Sequence, residues 1–255
     1  MSSFASYPSL SGRTVFVSGG GSGIGASIVE HFAEQGARVG FVDIDEAASR
    51  ALVDKIEARR LAVPLFVPCD IRDIAAYQRA IEGVVAKLGT ITVLVNNAAR
   101  DDRHTLDQVT PDFWDERIAV NLRHAYFAIQ TVAPAMKRAG GGSIVNFSSV
   151  SYHTMTPNLS VYQAAKAAVI GMTRGLARDL GGDGIRLNAV TPGWIMTQRQ
   201  IDLWVTPEAK AAQLNAQCLK ELLHAPDIAR MVLWLASDDS RLVTAQNFIV
   251  DGGRI

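Results

Sequence analysis

Only two cysteines, Cys69 and Cys218, occur in the 255 residues. They lie far apart and follow no metal-ligand or redox spacing, so no metal site is expected. The pair reads as free, mostly buried thiols in a reducing compartment. There is no surplus of either charge: Lys and Arg number 25, Asp and Glu number 25, and the formal net charge is zero. Nothing is therefore present in bulk to attract phosphate backbones or anionic lipid, and neither a nucleic-acid nor a membrane partner is expected. No apolar run approaches the ~20 residues that span a bilayer. The start of the chain, Met1–Pro8, has neither the basic residues nor the apolar stretch of a signal peptide. A cytoplasmic location is expected. Low-complexity segments, charge blocks and internal repeats are also lacking, and hydrophobic residues make up 48% against 20% charged, which suits a globular chain with a sizeable core.

What is present is a regular alternation of short β-branched runs and longer helical patterns. Strands are expected at Thr14–Ser18, Arg38–Asp43, Ala62–Cys69, Ile91–Val95, Ser143–Ser148, Ile185–Val190 and Phe248–Val250. Helices are expected at Gly23–Gln35, Ala47–Arg59, Ile74–Leu88, Phe113–Lys137, from Tyr162 to near Gly181, and at Asp227–Ala236. Apolar strands separated by helices imply an α/β fold, a doubly wound parallel sheet of Rossmann-like type with helices on both faces. Its ligands belong at the C-terminal ends of the strands. The whole chain, 1–255, reads as one dinucleotide-binding domain. The segment 194–223 interrupts the rhythm and is expected to be a small helical insertion, either a substrate lid or a subunit contact.

Three motifs carry chemistry. Ser18-Gly19-Gly20-Gly21-Ser22-Gly23-Ile24-Gly25 joins the first strand to the first helix. The strict G-x-G-x-x-G pattern is absent; a wider spacing, Gly19-x-x-x-Gly23-x-Gly25, fits. Glycines there let the backbone approach a pyrophosphate, which the N–H groups and dipole of the helix N-terminus stabilise. Asp43 ends the second strand, eighteen positions after Gly25. A carboxylate there accepts from the adenosine ribose hydroxyls and repels a 2′-phosphate, and Ile44 offers that phosphate no cation, so NAD is expected rather than NADP. Asp70, after the third strand, is either a partner for the adenine amino group or a helix cap.

The third motif is Ser149 with Tyr162-Gln163-Ala164-Ala165-Lys166. Residues four apart lie one above the other on a helix, so Tyr162 and Lys166 share a face. A strand-to-helix turn can bring Ser149 to the same place. A phenol, an ammonium and a hydroxyl together suit proton transfer at an oxygen whose carbon gives up a hydride. Ser148 is the rival to Ser149, and Ser151 a weaker one; along a strand, adjacent side chains face opposite ways.

Taken in order, the wide-spaced glycine loop, Asn96-Asn97-Ala98, Asn121, Ser149, Tyr162-x-x-x-Lys166, Pro192-Gly193 and Asp251-Gly252-Gly253 resemble the short-chain dehydrogenases/reductases over about Ser11 to Gly253. Ser18 stands where threonine is usual in that family and Ala99 where glycine is usual. The resemblance implies that Tyr162 is the general base for oxidation, with Lys166 favouring its phenolate and holding the nicotinamide ribose. It implies that Ser149 hydrogen-bonds the reacting oxygen, its spacing thirteen positions before Tyr162 selecting it over Ser148. Asn121 would position a water linking Lys166 to solvent. Cofactor contacts would come from Gly19, Ser22, Gly23, Ile24, Gly25, Asp43, Asp70, Ile71, Asn97, Ala98, Tyr162, Lys166, Pro192, Gly193, Ile195 and Thr197. A homotetramer is the family habit.

A narrower likeness, to bacterial aldose 1-dehydrogenases, rests on Asp101-Asp102-Arg103-His104, Trp114-Asp115-Glu116-Arg117 and Asn121-Leu122-Arg123-His124. It implies oxidation of an aldose such as D-galactose, L-fucose, L-arabinose or D-xylose to its lactone, D-galactose being the first expectation. Sugar contacts are expected from His104, His153, Asn158, Trp194 and Gln200 beside Ser149 and Tyr162, since buried hydroxyls need partners. A 3-oxoacyl thioester or ketone reductase is the alternative within the family. A non-catalytic dinucleotide-binding sensor is the alternative outside enzymes.

Overall fold

Seven strands form one parallel sheet in the order β3-β2-β1-β4-β5-β6-β7, as seen in a computed structural model that describes residues 4–255. The strands are β1 (Thr14–Ser18), β2 (Arg38–Asp43), β3 (Leu65–Pro68), β4 (Ile91–Asn96), β5 (Gly142–Phe147), β6 (Ile185–Pro192) and β7 (Asn247–Val250). The helices between them are α1 (Gly23–Glu34), α2 (Glu46–Ala58), α3 (Ile74–Leu88), α4 (Pro111–Ile118), α5 (His124–Arg138), α6 (Ser160–Leu180), α7 (Gln198–Trp204), α8 (Pro207–Ala216) and α9 (Ala225–Ala236). The expected fold class is the observed one. The N-terminal reading above concerns in part Met1–Ser3, which lie outside the described residues.

Alternation along the strands builds two cores. Val15 and Val17 of β1 point to the face covered by α1, α2 and α9, with Phe32, Ile56 and Val232. Phe16 between them points to the other face, with Tyr77, Ile129 and Met136. Both faces are covered, which is why the strands read as unbroken apolar runs. Each fully buried side chain of this size contributes about 1.5–3 kcal/mol.

Three expectations are corrected. The strand expected from Ala62 begins only at Leu65, directly after Pro64, which has no N–H to give to a ladder. Of the cysteines, Cys69 is half-buried and Cys218 exposed, so the thiols are less buried than expected. The single helix expected over Phe113–Lys137 is interrupted: the backbone widens into a π-turn at Ala119–Arg123, between α4 and α5. Such a turn inserts one residue into the helical ladder and often marks a functional position; here it holds Asn121.

The strand order reverses between β1 and β4, since β2 and β3 lie to one side and β5 to β7 to the other. In open parallel sheets this reversal leaves a crevice beyond the strand ends. The glycine loop after β1 and Asn97-Ala98 after β4 flank it. No helix of the described residues is long and apolar enough to cross a membrane.

Candidate active site

A cavity of about 1190 Å³ opens over the C-terminal ends of the strands. One end is lined by Gly19, Ser22 to Gly25, Asp43, Asp70, Ile71, Asn97 and Ala98, the other by Ser149, Tyr162, Lys166, Pro192, Gly193, Trp194, Ile195, Thr197 and Gln200. Asn121, His104, His153 and Asn158 are the expected site residues that do not line it.

The glycine loop can have only glycine at key points. Gly19 has φ +66°, and a Cβ there would lie 2.8 Å from the Ala98 backbone. A Cβ on Gly25 would lie 1.8 Å from the Gly19 carbonyl oxygen, which no relaxation of side chains accommodates. The loop is pinned from β4: the Asn97 side-chain amide donates to the carbonyls of Ser18 (3.1 Å) and Gly19 (2.9 Å). The Ser18 hydroxyl accepts from the backbone N–H groups of Asn97 (3.1 Å) and Ala98 (3.2 Å), so serine supplies the acceptor that ties β1 to the start of the loop after β4.

Helix ends differ around the cavity. Asp45 caps α2 by accepting from Ala48 N–H, and Asp73 caps α3 by accepting from Ala76 N–H. The Ser22 hydroxyl at the start of α1 makes no capping bond. The first N–H groups of α1 thus face the cavity without a side-chain acceptor, an arrangement suited to phosphate. Asp43 does not cap a helix. Its Oδ2 accepts from Gly21 N–H (2.8 Å) and its Oδ1 from Asp45 N–H (3.0 Å), fixing the carboxylate at the end of β2. Asp70 does not cap α3 either. Arg72 chelates its carboxylate and also bonds Glu116, and that guanidinium holds the Asp70 carboxyl below its usual range.

At the other end, α6 is tied to β5 through a buried polar chain. Asn96 donates to Asn146 (2.8 Å), which donates to Thr173 on α6 (3.0 Å). The Ser148 hydroxyl donates to the Lys166 carbonyl (2.7 Å); both Ser148 and Ser149 line the cavity, but the Ser148 hydroxyl is spent on the backbone. Lys166 Nζ donates to the Phe147 carbonyl (2.9 Å) and lies 5.6 Å from the centre of the Tyr162 ring. Burial pushes the Lys166 ammonium down to about 7.

Burial raises the Tyr162 phenol above its ordinary value, and the Asp101 carboxylate adds to the rise; a hydrogen bond with Ser149 and the Arg103 charge oppose it. The lowering of the phenol expected from Lys166 is not what sets it in the protein alone: removal from water costs the phenolate more than the Ser149 hydrogen bond and the Arg103 charge return. Behind Lys166, burial and that lysine's charge hold His124 down to about 3, so its imidazole is neutral.

Lys166 carries a pH prediction. Its folded pKa of about 7 lies below the ordinary 10.5, so between these values the unfolded chain binds the extra proton and stability rises with pH. Replacing Lys166 by Met should raise the melting temperature of the cofactor-free protein at pH 6, and the gain should shrink as pH climbs from 7 to 10.5. Calorimetry across that range checks it; a gain independent of pH contradicts it.

The Asn121 side chain is fully engaged: its amide donates to the carbonyls of Arg100 (3.0 Å) and Arg117 (3.0 Å), and its oxygen accepts from Arg100 N–H (2.9 Å). It staples the loop after β4 to the π-turn, with both side-chain N–H groups spent on backbone carbonyls. His104 is buried within the protein, not against the cavity. Its Nε2 is 3.2 Å from the Ser160 hydroxyl, its ring packs on Phe113, and its N–H donates to the Asn158 carbonyl. Asn158 occupies the left-handed region (φ 61°) as a turn residue, and exposed His153 stacks on Tyr152 with ring centres 4.0 Å apart.

Polar groups on the wall near Tyr162 come instead from Asp101, Arg103, Ser151, Thr154, Thr156 and Arg199. The quoted run Asp101-Asp102-Arg103-His104 contained this signal, on its first and third residues rather than its histidine. Trp194 Nε1 donates to Gln200 (2.8 Å), and Gln200 Nε2 donates to Asp101 (2.9 Å). Thr197 starts α7, its hydroxyl accepting from Gln200 N–H (3.4 Å), and packs on Gly23. Ile195 is held by a bridge to Leu223. The insertion is helical, as α7 and α8.

A family model described as enoyl-(acyl carrier protein) reductase matches residues 19–254. The chain is 52% identical to a probable galactose dehydrogenase of Rhizobium meliloti, over 97% of this chain and 96% of that one. It belongs to the short-chain dehydrogenase/reductase family. It is 48% identical to a D-xylose 1-dehydrogenase of Caulobacter vibrioides, over 98% and 99% of the two chains. Among solved structures, a 3-oxoacyl-[acyl-carrier protein] reductase with bound NAD from Brucella melitensis superposes with a TM-score of 0.89 at 31% identity, covering 100% of this chain and 98% of that one. Dinucleotide binding by a relative of this shape agrees with the uncapped α1 and the glycine cradle, which fit such a group.

Proposed function

We propose that this protein is an NAD-dependent aldose 1-dehydrogenase that oxidises C1 of a neutral sugar to the lactone, with D-galactose as its first substrate. The observation that carries the reading is one cavity holding a phosphate cradle and a ribose-reading carboxylate at one end and Ser149, Tyr162 and Lys166 at the other. The activities named for the two relatives near half identity support a sugar.

Gly19, Ser22, Gly23, Ile24 and Gly25 would hold the pyrophosphate, Asp43 the adenosine ribose, and Asp70 and Ile71 the adenine. Asn97, Ala98, Pro192, Gly193, Ile195 and Thr197 would border the nicotinamide half. When bound, NAD supplies the hydride acceptor. Tyr162, as phenolate, takes the proton of the C1 hydroxyl while the C1 hydride leaves, so the sugar loses two electrons and two hydrogens. Lys166 favours the phenolate and holds the nicotinamide ribose. Ser149 donates to the reacting oxygen as its charge changes. Asn121 is a positioning residue that fixes the loop after β4. Two carboxylates, Asp43 and Asp45, border the ribose end, and Arg72 is already paired with Asp70 and Glu116; this favours NAD over NADP.

Segment 194–223 would cover the sugar, since Gln200 and Arg199 of α7 bond Asp101 and Asp102 of the opposite wall. Trp194 and Gln200 remain candidate sugar contacts, while His104, His153 and Asn158 act in shaping the loops. A cytoplasmic homotetramer is the assembly the family resemblance implies. Reduced-cofactor formation should appear with D-galactose, and with L-fucose, L-arabinose or D-xylose at other rates, using NAD in preference to NADP. Turnover of a 3-oxoacyl thioester without any aldose activity overturns the reading. Binding of NAD with no turnover of either substrate class makes the protein a sensor instead.

A further inference from the structure

Arginines crowd the cavity, and all but one have an evident partner. Arg72 is paired with Asp70 and Glu116, Arg100 and Arg199 with Asp102, and Arg254 donates to Gln213. Arg103 forms no ion pair among the described residues. Its Nη1 reaches only the Pro157 carbonyl at 3.4 Å, and its guanidinium lies 4.9 Å from the ring centre of Trp204. Its Nε–H is buried with no acceptor. The Ser151 hydroxyl, on the loop after β5, is likewise buried and partnerless, and both residues line the cavity. The Arg103 charge also acts on the Tyr162 phenol, which sets the guanidinium near the reacting end. A buried donor without an acceptor is costly to maintain, and such a group calls for an explanation.

We propose that Arg103 is a specificity-determining residue whose guanidinium donates to a non-reacting hydroxyl oxygen of the bound aldose. The inference rests on the aldose reading above. Trp204 holds the guanidinium plane in place from one face, so its donors are held in a fixed orientation. Asp101, opposite in charge and fixed by Gln200, supplies an acceptor on the same wall. A donor and an acceptor side by side suit hydroxyl groups, which need both. A guanidinium with no acid partner also suits a carboxylate. Asp101 and Asp202, which line the same cavity, disfavour an anionic ligand, so a neutral sugar is the occupant argued for.

The test is a cycle between enzyme and substrate. Wild type, Arg103→Met and Arg103→Lys are compared on D-galactose and on its 2-, 3-, 4- and 6-deoxy forms, with D-galacturonate as a further substrate. Loss of one hydroxyl should cost wild type about 10- to 100-fold in kcat/KM, as expected of a hydrogen bond to a charged group, and should cost Arg103→Met almost nothing at that same position. For D-galactose itself both variants should show a raised KM with the KM for NAD little changed, and Arg103→Lys, which keeps the charge acting on the Tyr162 phenol, should also keep kcat near the wild-type value, a split that a merely structural role would not give. Arg103→Lys, which keeps the charge and chain length, stands in should the Met variant fail to fold. Equal penalties in wild type and variant at every deoxy position overturn the proposal while leaving the aldose reading intact, as does a wild type faster on the uronate. No turnover of any aldose by wild type overturns the aldose reading itself, and this inference with it.

Discussion

Tyr162→Phe should abolish sugar oxidation while leaving NAD binding as it is in wild type. In the proposed mechanism the phenol accepts the hydroxyl proton; Lys166 is turned to the Phe147 carbonyl, and Ser149 hydrogen-bonds the phenol. Positioned acid–base groups contribute about 10²–10⁴ to rate, and the loss should be in kcat. The ring stays, so the packing of α6 on β5 through Ser148 and Asn146 is untouched. Steady-state kinetics together with fluorescence titration of NAD check both halves. Since burial raises the phenol above its ordinary value, wild-type oxidation should also strengthen with rising pH. Retained turnover in the Phe variant would refute the role given to Tyr162.

Asp43→Ala should reverse the cofactor preference in degree and weaken NAD binding. The carboxylate lines the cavity beside the glycine loop and is held by Gly21 and Asp45 N–H groups. Its removal deletes a charge-assisted acceptor, a loss of about 1.5–3 kcal/mol or roughly 10- to 100-fold in KM for NAD. The same change removes repulsion toward a 2′-phosphate, so the KM for NADP should fall. Ratios of kcat/KM for the two cofactors measure this. An unchanged ratio would show that Asp43 does not read the ribose.

How much of this was legible beforehand depends on whether a residue's work is local. The strands were legible because both faces of the sheet are buried, which makes each an unbroken apolar run. The Ser149 choice over Ser148 was legible from spacing, and Ser148 indeed serves the Lys166 carbonyl. The π-turn at Asn121 was not, since one inserted residue leaves the apolar pattern of Phe113–Lys137 nearly in phase.

His104, His153 and Asn158, expected as sugar contacts, lie off the cavity for a different reason. Polar type near a strand end does not say where the hydrogen bonds are spent. His104 and Asn158 spend theirs holding the loops together, through Ser160 and the bond from His104 N–H to the Asn158 carbonyl. Arg103 beside them is left with a buried N–H unspent, and nothing in residue order distinguishes the two outcomes. In sequence Asp70 reads as an adenine partner or a cap; Asp73, three positions away, is the cap, and both sites suit an aspartate equally well.

The central claim is that C1 of an aldose gives its hydride to NAD beside Tyr162. Incubating the protein with NAD and D-galactose carrying deuterium at C1, followed by mass spectrometry of the reduced cofactor and the sugar product, tests it most directly. The account predicts one deuterium in the reduced cofactor and galactonolactone, or its hydrolysed acid, as product. Reduced cofactor without deuterium, or oxidation at any carbon other than C1, would contradict it.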